Sequence, residues 1–225
     1  VAAMADLLLA GKKPMIFAGD GVAYSDAQHE LEKVAELLGA EVWEADAGEV
    51  NIDYRHPLHQ GMTGHMFGYA SKPIMIKGDA NLIVGTYVLP EVFPELGNIF
   101  APGAAVIHID LNAYEIAKSH PVTLGMVADP KRSLAILADI LAATMTAEQR
   151  AQAQARTAAI GEIKAAIFGV IAGVIAAYKG LHPKGGPKGV GEAVNQSVVI
   201  TFLVLFFANL VMTLIYLQVV PAKGA

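Results

Sequence analysis

The stretch from Lys13 to Tyr24, KPMIFAGDGVAY, constrains the fold more than any other. Its apolar run, Met15 to Ala18, stops at the glycine-flanked turn Gly19-Asp20-Gly21. A buried strand that ends in glycines and leads into a helix is how α/β domains present backbone N–H groups to a phosphate. Tight strand-to-helix turns need glycine with or without a ligand, so the stretch also reads simply as the first βα unit of a doubly wound parallel sheet.

The chain around it supports that fold class. Residues 1–10 read as a helix closed by Gly11, and residues 14–18 as the first strand. Ser25 offers a capping box with Gln28, and Leu31, Val34, Ala35, Leu37 and Leu38 recur at helical spacing, which predicts a helix over 26–38 ended by Gly39. Strands follow at 41–45, 81–84 and 105–110, while 46–79, with Pro57, Pro73 and several glycines, reads as irregular. Asp129 before Pro130 is a strong helix start, because Asp accepts orphan N–H bonds and proline suits the first helical position. That helix is expected to reach about residue 143. Strands alternating with helices mean a parallel sheet, whose ligands sit at the strand carboxyl ends: Gly19 to Gly21, Gly85-Thr86 and Asp110 to Asn112.

Composition divides the chain. It is 54% hydrophobic and only 16% charged, against roughly 25% charge in soluble domains. Residues 1–160 read as an ordinary soluble domain, whereas 165–178 and 197–220 are runs of 14 and 24 residues without charge. The second run meets the roughly 20-residue requirement for crossing a bilayer; the first is marginal and needs its flanks. Asn209 is a strongly polar side chain in the longer run, suited to a helix-packing hydrogen bond. Between the domain and the runs, Thr146 and Gln149 form a second capping box, opening an Ala/Gln/Arg helix over 146–162 that reads as a linker. A net charge of -5 with no basic stripe excludes nucleic acid as a partner. The absence of cysteine excludes a disulfide scaffold and thiolate chemistry. The first residues have no basic leader before their short apolar stretch, so they read as the end of a helix and not as a secretory signal.

No catalytic or metal-binding constellation stands out. His56, His59 and His65 fall within ten residues, but in a proline-containing loop, where they read as exposed. His108 alternates with Ile107 and Ile109 and reads as packed or hydrogen-bonded.

Five blocks in order, KPMIFAGDGV, HPLHQGMTGH, NLIVGTYVLPEVFPE, VIHIDLNAYEIAKSHPV and LGMVADP, resemble the central domain of thiamine-diphosphate-dependent enzymes of the acetolactate synthase and benzoylformate decarboxylase type, over residues 1–145. The resemblance implies a nucleotide-binding-like fold set between two thiamine-binding domains. It implies a non-catalytic role for this part of the chain, with thiamine diphosphate and magnesium reached only through domains this sequence lacks. In one branch of the family the domain carries a largely structural FAD. On that basis Gly61-Met62-Thr63-Gly64-His65 falls at an FAD-binding loop, and His108-Ile109-Asp110 at a strand whose end meets the nucleotide. The cofactor-binding candidates, for FAD or another nucleotide, are therefore Gly19, Gly21, Gly61, Met62, Gly64, His65, Gly85, Thr86, Asp110 and Asn112. Gly85-Thr86-Tyr87 departs from the Arg-Phe-Asp-Asp segment of the FAD-binding members. Gly19-Asp20-Gly21 with Asn51 superficially resembles the family's magnesium motif, but the spacing is long and the context is that of a middle domain.

The tail resembles a different family. IFGVIAGVIAAYKG, KGLHPKGGPKGVGEAVNQ and SVVITFLVLFF are similar to the C-terminal end of Mla/Mce-type permeases of lipid-transporting ABC systems, over residues 163–223. This implies a two-helix transmembrane segment in a bacterial inner membrane, with membrane lipid as a partner and further copies of the chain or permease helices beside it. Lys179, Lys184 and Lys188 put the intervening loop on the cytoplasmic side. If both runs span, residues 1–160 lie on the outer face, whereas a thiamine-enzyme domain belongs in the cytoplasm, which requires that 165–178 not span. The two resemblances conflict, and the sequence reads as a chimera joined near 145–163. Its expected organisation is an α/β domain over 1–145, a helical linker over 146–162 and a membrane segment over 163–223. As an alternative, the chain is a lipid-permease fragment with the α/β domain as passenger.

Overall fold

The computed structural model describes residues 1–45, 47–63, 68–87, 93, 97–181, 195–196, 198–204 and 206. It divides into two units, Val1–Ala159 and Ile160–Ala225.

The first unit is a six-stranded parallel sheet. Its strands are β1 (Pro14–Ala18), β2 (Glu41–Glu44), β3 (His59–Met62), β4 (Ala80–Val84), β5 (Ala105–Asp110) and β6 (Leu124–Val127), in the spatial order β3-β2-β1-β4-β5-β6. Both central strands, PMIFA and ANLIV, are buried along their whole length, as strands covered on two faces must be. Among the described residues the helices are α1 (Ala2–Ala10), α2 (Gly21–Tyr24), α3 (Gln28–Leu38), α4 (Gly68–Met75), α5 (Pro130–Thr144) and α6 (Ala147–Leu181), the last running on into the second unit. On one face α5 packs against α1 and α3. On the other, Ile74 and Met75 of α4 join Met15, Phe17, Ile83, Val106, Ile99 and Phe100 in a buried cluster. Neighbouring residues on a strand point to opposite faces, so Ile16 and Leu82, both fully buried, belong to the α1/α3/α5 side. Helices on both faces make the sheet doubly wound, as expected from the alternation of elements.

Local signals succeeded where they were short-range. Asp129 caps α5, its Oδ1 accepting the Arg132 N–H at 2.9 Å with Pro130 at the first helical position. The Thr146 box also forms: Gln149 N–H donates to Thr146 Oγ1 and Thr146 N–H to Gln149 Oε1, at 3.2 and 2.9 Å. The Ser25 box does not. Ser25 Oγ is buried without a partner and Gln28 Nε2 donates to the Val50 carbonyl, so α3 begins at Gln28 with no side-chain cap. The stretch 46–79, read as irregular, contains β3 and α4, with Pro73 inside the helix.

Residues 147–159 of α6 are part of the first unit. Ala153 is buried against the carboxyl end of α3, where Gly39 takes a left-handed φ of 57°. Arg156 donates through Nε and Nη2 to the Leu38 carbonyl, at 3.2 and 2.6 Å, satisfying an acceptor that the end of α3 leaves open. In the second unit α6 carries the first apolar run, and residues 198–204 are helical. Among the described residues no helix is long and apolar enough to cross a membrane. The run 197–220 lies largely outside the described residues, as does the glycine-rich stretch 182–194.

Candidate functional site

Between β1 and β4 the sheet changes direction: the chain leaves β1 towards β2 and β3 on one side, then returns to β4 on the other. Open α/β sheets receive ligands at the carboxyl edge of such a point. Here it forms a cleft of about 400 Å³. Of the residues picked from sequence, Gly21, Gly85, Thr86, Asp110 and Asn112 line it, together with Asp20, Tyr24, Ala45, Tyr87 and Glu115. Gly19 is not in the lining, Gly61 and Met62 lie on β3 away from it, and Gly64 and His65 fall outside the described residues.

The glycines act through close backbone approach. The Gly19 N–H donates to the Val84 carbonyl at 3.1 Å, Gly21 N–H to the Gly85 carbonyl at 3.0 Å, and Gly85 N–H to the Ile109 carbonyl at 3.0 Å. Val22 N–H returns to the Gly19 carbonyl, and Ala23 N–H is taken by Asn51 Oδ1 at 3.1 Å. These amides hold the β1–α2 turn against the end of β4, and so are not turned toward the cleft as phosphate donors.

Charge works against a diphosphate as well. Asp20, Asp110 and Glu115 line the cleft, and among the described residues no lysine or arginine does. Lys118 is near, but its ammonium is 3.0 Å from Glu115 Oε2 and sits 4.2 Å from the Tyr87 ring centroid. A dinucleotide would bring two negative charges onto three carboxylates, with no lysine or arginine among the described lining residues to meet them. The described residues of the cleft therefore give FAD no support.

Behind the cleft lies a polar network with no local sequence signature. Glu44, at the end of β2, is 1% exposed; its Oε2 is 3.0 Å from His59 Nε2 and its Oε1 accepts from Asn51 Nδ2 at 3.3 Å. Asn51, fully buried, also donates to Asp20 Oδ1 at 3.4 Å. The Tyr54 ring lies tilted against His59, their centroids 5.3 Å apart, and burial followed by the charges of Glu44 and Asp20 pushes its hydroxyl above the ordinary tyrosine value. His56 and His59, expected to be exposed, are instead largely covered side chains paired with Glu36 and Glu44. His108 is 2% exposed, with Nε2 2.7 Å from the Thr86 carbonyl. Burial holds its imidazole below the ordinary value, opposed by the Thr86 contact and the charges of Asp110 and Glu115, so the neutral ring donates Nε2–H to that carbonyl.

The family described as thiamine pyrophosphate enzyme, central domain, matches residues 1–137. The chain belongs to this family. Among similar curated proteins, the acetolactate synthase of Mycobacterium avium is 32% identical over 137 residues, which cover 61% of this chain and 22% of that enzyme. The probable acetolactate synthase large subunit of Methanocaldococcus jannaschii is 32% identical over 139 residues, 62% of this chain and 23% of its own. The chain thus spans less than a quarter of these relatives. Among solved structures, the thiamine diphosphate-dependent 4-hydroxybenzoylformate decarboxylase of Rhodococcus jostii RHA1 superposes with a TM-score of 0.56 at 26% identity, covering 62% of this chain and 26% of that one. The benzoylformate decarboxylase of Polynucleobacter necessarius, at 23% identity, a TM-score of 0.55 and coverage of 63% and 26%, shares the fold. A second family, Permease MlaE, matches residues 122–215. The two matches overlap at 122–137, where the structure places β6 and the first half of α5, both built into the α/β unit.

Membership in a thiamine-dependent family implies thiamine diphosphate and a metal ion for the complete enzyme. The chain's own approximation to a magnesium motif does not fit one. Asp20 Oδ1 accepts from Gly48 N–H, Glu49 N–H and Asn51 Nδ2, its Oδ2 faces the Gly48 N–H at 3.1 Å, and Asn51 Oδ1 is taken by Ala23. A cation here would have to displace a shell of N–H donors that already uses the carboxylate as the anchor of the 47–51 turn.

Proposed function

We propose that residues 1–145 serve as the non-catalytic central domain of a thiamine-diphosphate-dependent carboligase or decarboxylase of the acetolactate synthase kind. The match of the central-domain family over residues 1–137 is the observation that carries this reading. The structure supports a scaffold role in a second way: the polar groups at the strand carboxyl ends are spent on holding turns in place. Asp20 anchors the 47–51 turn, Asn51 ties it to α2, and His108 ties β5 to the turn after β4. Such a domain contributes rigid spacing between the domains that carry the cofactor. Substituting residues 1–145 for the central domain of an acetolactate synthase large subunit tests this. Recovery of pyruvate carboligation supports the reading, and a chimera that folds, by circular dichroism, yet forms no acetolactate overturns it.

The tail favours a second reading for residues 163–223, a membrane hairpin of the lipid-permease kind. The Permease MlaE match and the 24-residue uncharged run 197–220 support it. Retention in membranes after alkaline carbonate washing is the result expected; release into the soluble fraction counts against insertion. Amplifying source DNA across codons 130–180 from primers outside both halves decides whether the two parts are one gene, and an unrecoverable product would make the chain a chimera of two.

A further inference from the structure

We propose, on the central-domain reading above, that the carboxyl edge of the sheet is the face on which the cofactor-carrying domains of a thiamine-diphosphate-dependent enzyme dock. Single apolar side chains scattered over a surface are ordinary, whereas apolar side chains gathered on one edge mark a contact.

In the first unit the exposed large apolar side chains gather at one end of the strands. Tyr24 follows β1, Tyr54 follows β2, Met62 ends β3, Leu111 and Tyr114 follow β5, and Val127 ends β6. Their exposure runs from 48% at Met62 to 86% at Tyr114. At the amino end of the same strands, Ile76 alone among the described residues is of this kind. A side chain of leucine or methionine size left in water forgoes about 1.5–3 kcal/mol of burial. Six of them on one edge recover that energy only when another surface covers them.

Charge decides what that surface is. Asp20, Asp110 and Glu115 open within the edge, and Lys118 is paired with Glu115 alone. A second copy meeting this one face to face would set the carboxylates against themselves, and an anionic bilayer would set phosphates against them; both oppositions weaken binding. A different protein surface, apolar and carrying basic side chains, meets neither obstacle. The family match says which: the model is that of a central domain, and the chain covers 22% and 23% of two acetolactate synthases, leaving most of each to other domains. The edge is also held rigid. Asp20 fixes the 47–51 turn and Asn51 ties that turn to α2, so the backbone beside Tyr24 and Tyr54 is ordered before any partner arrives.

Hydroxyl-radical labelling reads the face directly. In the full chain alone, Tyr24, Tyr54 and Tyr114 should label freely. With residues 1–159 grafted in place of the central domain of an acetolactate synthase large subunit, the same tyrosines should lose labelling severalfold, whether or not acetolactate forms. Leu111→Asp should restore labelling at Tyr24 and Tyr54 in the graft while leaving the urea midpoint of the full chain unchanged, and Ile136→Asp, on the exposed side of α5, should leave the protection intact. Should the graft misfold, the full chain added in trans to a large subunit freed of its central domain carries the same comparison. Undiminished labelling overturns the docking face, and the central-domain reading survives it if acetolactate still forms. Protection in a folded graft that forms no acetolactate does the reverse. Protection of the full chain on raising its own concentration would make the occupant a second copy, and protection by phosphatidylglycerol vesicles would make it a bilayer; either overturns the proposal.

Discussion

Gly21 and Gly85 meet backbone to backbone across the switch point of the sheet. The Gly21 N–H donates to the Gly85 carbonyl at 3.0 Å, and a Cβ on Gly21 would lie 2.6 Å from the Gly85 Cα. Gly85 has φ of 67°, and a Cβ there would approach Val22 N to 2.7 Å. Both demands, a left-handed backbone and no side chain, fall on one residue. Gly85→Ala is therefore expected to destabilise the first unit by about 2 kcal/mol or more, from left-handed strain and overpacking together. Urea unfolding reads this directly, and a midpoint within error of wild type would refute the close-approach account.

Arg156 joins α6 to the end of α3 through two donations to the Leu38 carbonyl and one to the Lys12 carbonyl at 3.4 Å. Burial holds its guanidinium below the usual arginine range, with Asp79 opposing the shift. Removing a charged donor from a half-covered carbonyl costs about 1–2 kcal/mol. Arg156→Ala should show that loss in thermal or urea denaturation, and Arg156→Lys should recover less than half, since an ammonium cannot reproduce the fork. An unchanged stability in Arg156→Ala would mean that residues 147–159 do not hold the first unit together.

Much of this fold was legible because its signals are local. The runs PMIFA and ANLIV, the Asp129-Pro130 start and the Thr146/Gln149 box are each read within a few residues, and each forms as the sequence predicts. HQGM and GYASKPIM were not legible. A four-residue edge strand with a glycine and an eight-residue helix containing Pro73 carry poor propensity, and they are held by pairing with β2 and by Ile74 and Met75 entering the core. Ser25 misled for the same reason in reverse: its box partner Gln28 is drawn off to Val50 by tertiary structure. In the cleft, Gly21, Gly85 and Asp110 followed from the rule for strand ends. Asp20 and Glu115 define the charge, and only assembly of the sheet shows that they face one space. The pair Glu44 and His59, 15 residues apart, has no period to reveal it.

His59 supplies one of two close partners to the nearly inaccessible carboxylate of Glu44. Deleting it leaves a buried charge supported by Asn51 alone, a change worth about 3 kcal/mol or more in comparable buried pairs. His59→Ala should therefore be severely destabilised, and combining it with Glu44→Gln should restore a substantial part by removing the stranded charge. Additive losses in the double variant, measured as a double-mutant cycle, would show that the contact carries no coupling.

Acid should weaken the first unit through histidines that fold in their neutral form. Burial depresses the imidazole of His108, and likewise that of His120, whose Nε2 is buried without a partner while its ring packs edge-on against Phe100. A base whose folded value lies below its unfolded one is protonated first in the unfolded chain. Stability is then fully present above the ordinary histidine value of about 6.5 and is lost as pH falls through it towards the folded value. Urea midpoints should accordingly drop between pH 7.5 and pH 5.5, and His120→Leu should flatten the slope by removing one of the two groups. A midpoint that holds or rises on acidification, or a slope untouched by His120→Leu, would show that these two rings are not the acid-labile elements of the fold.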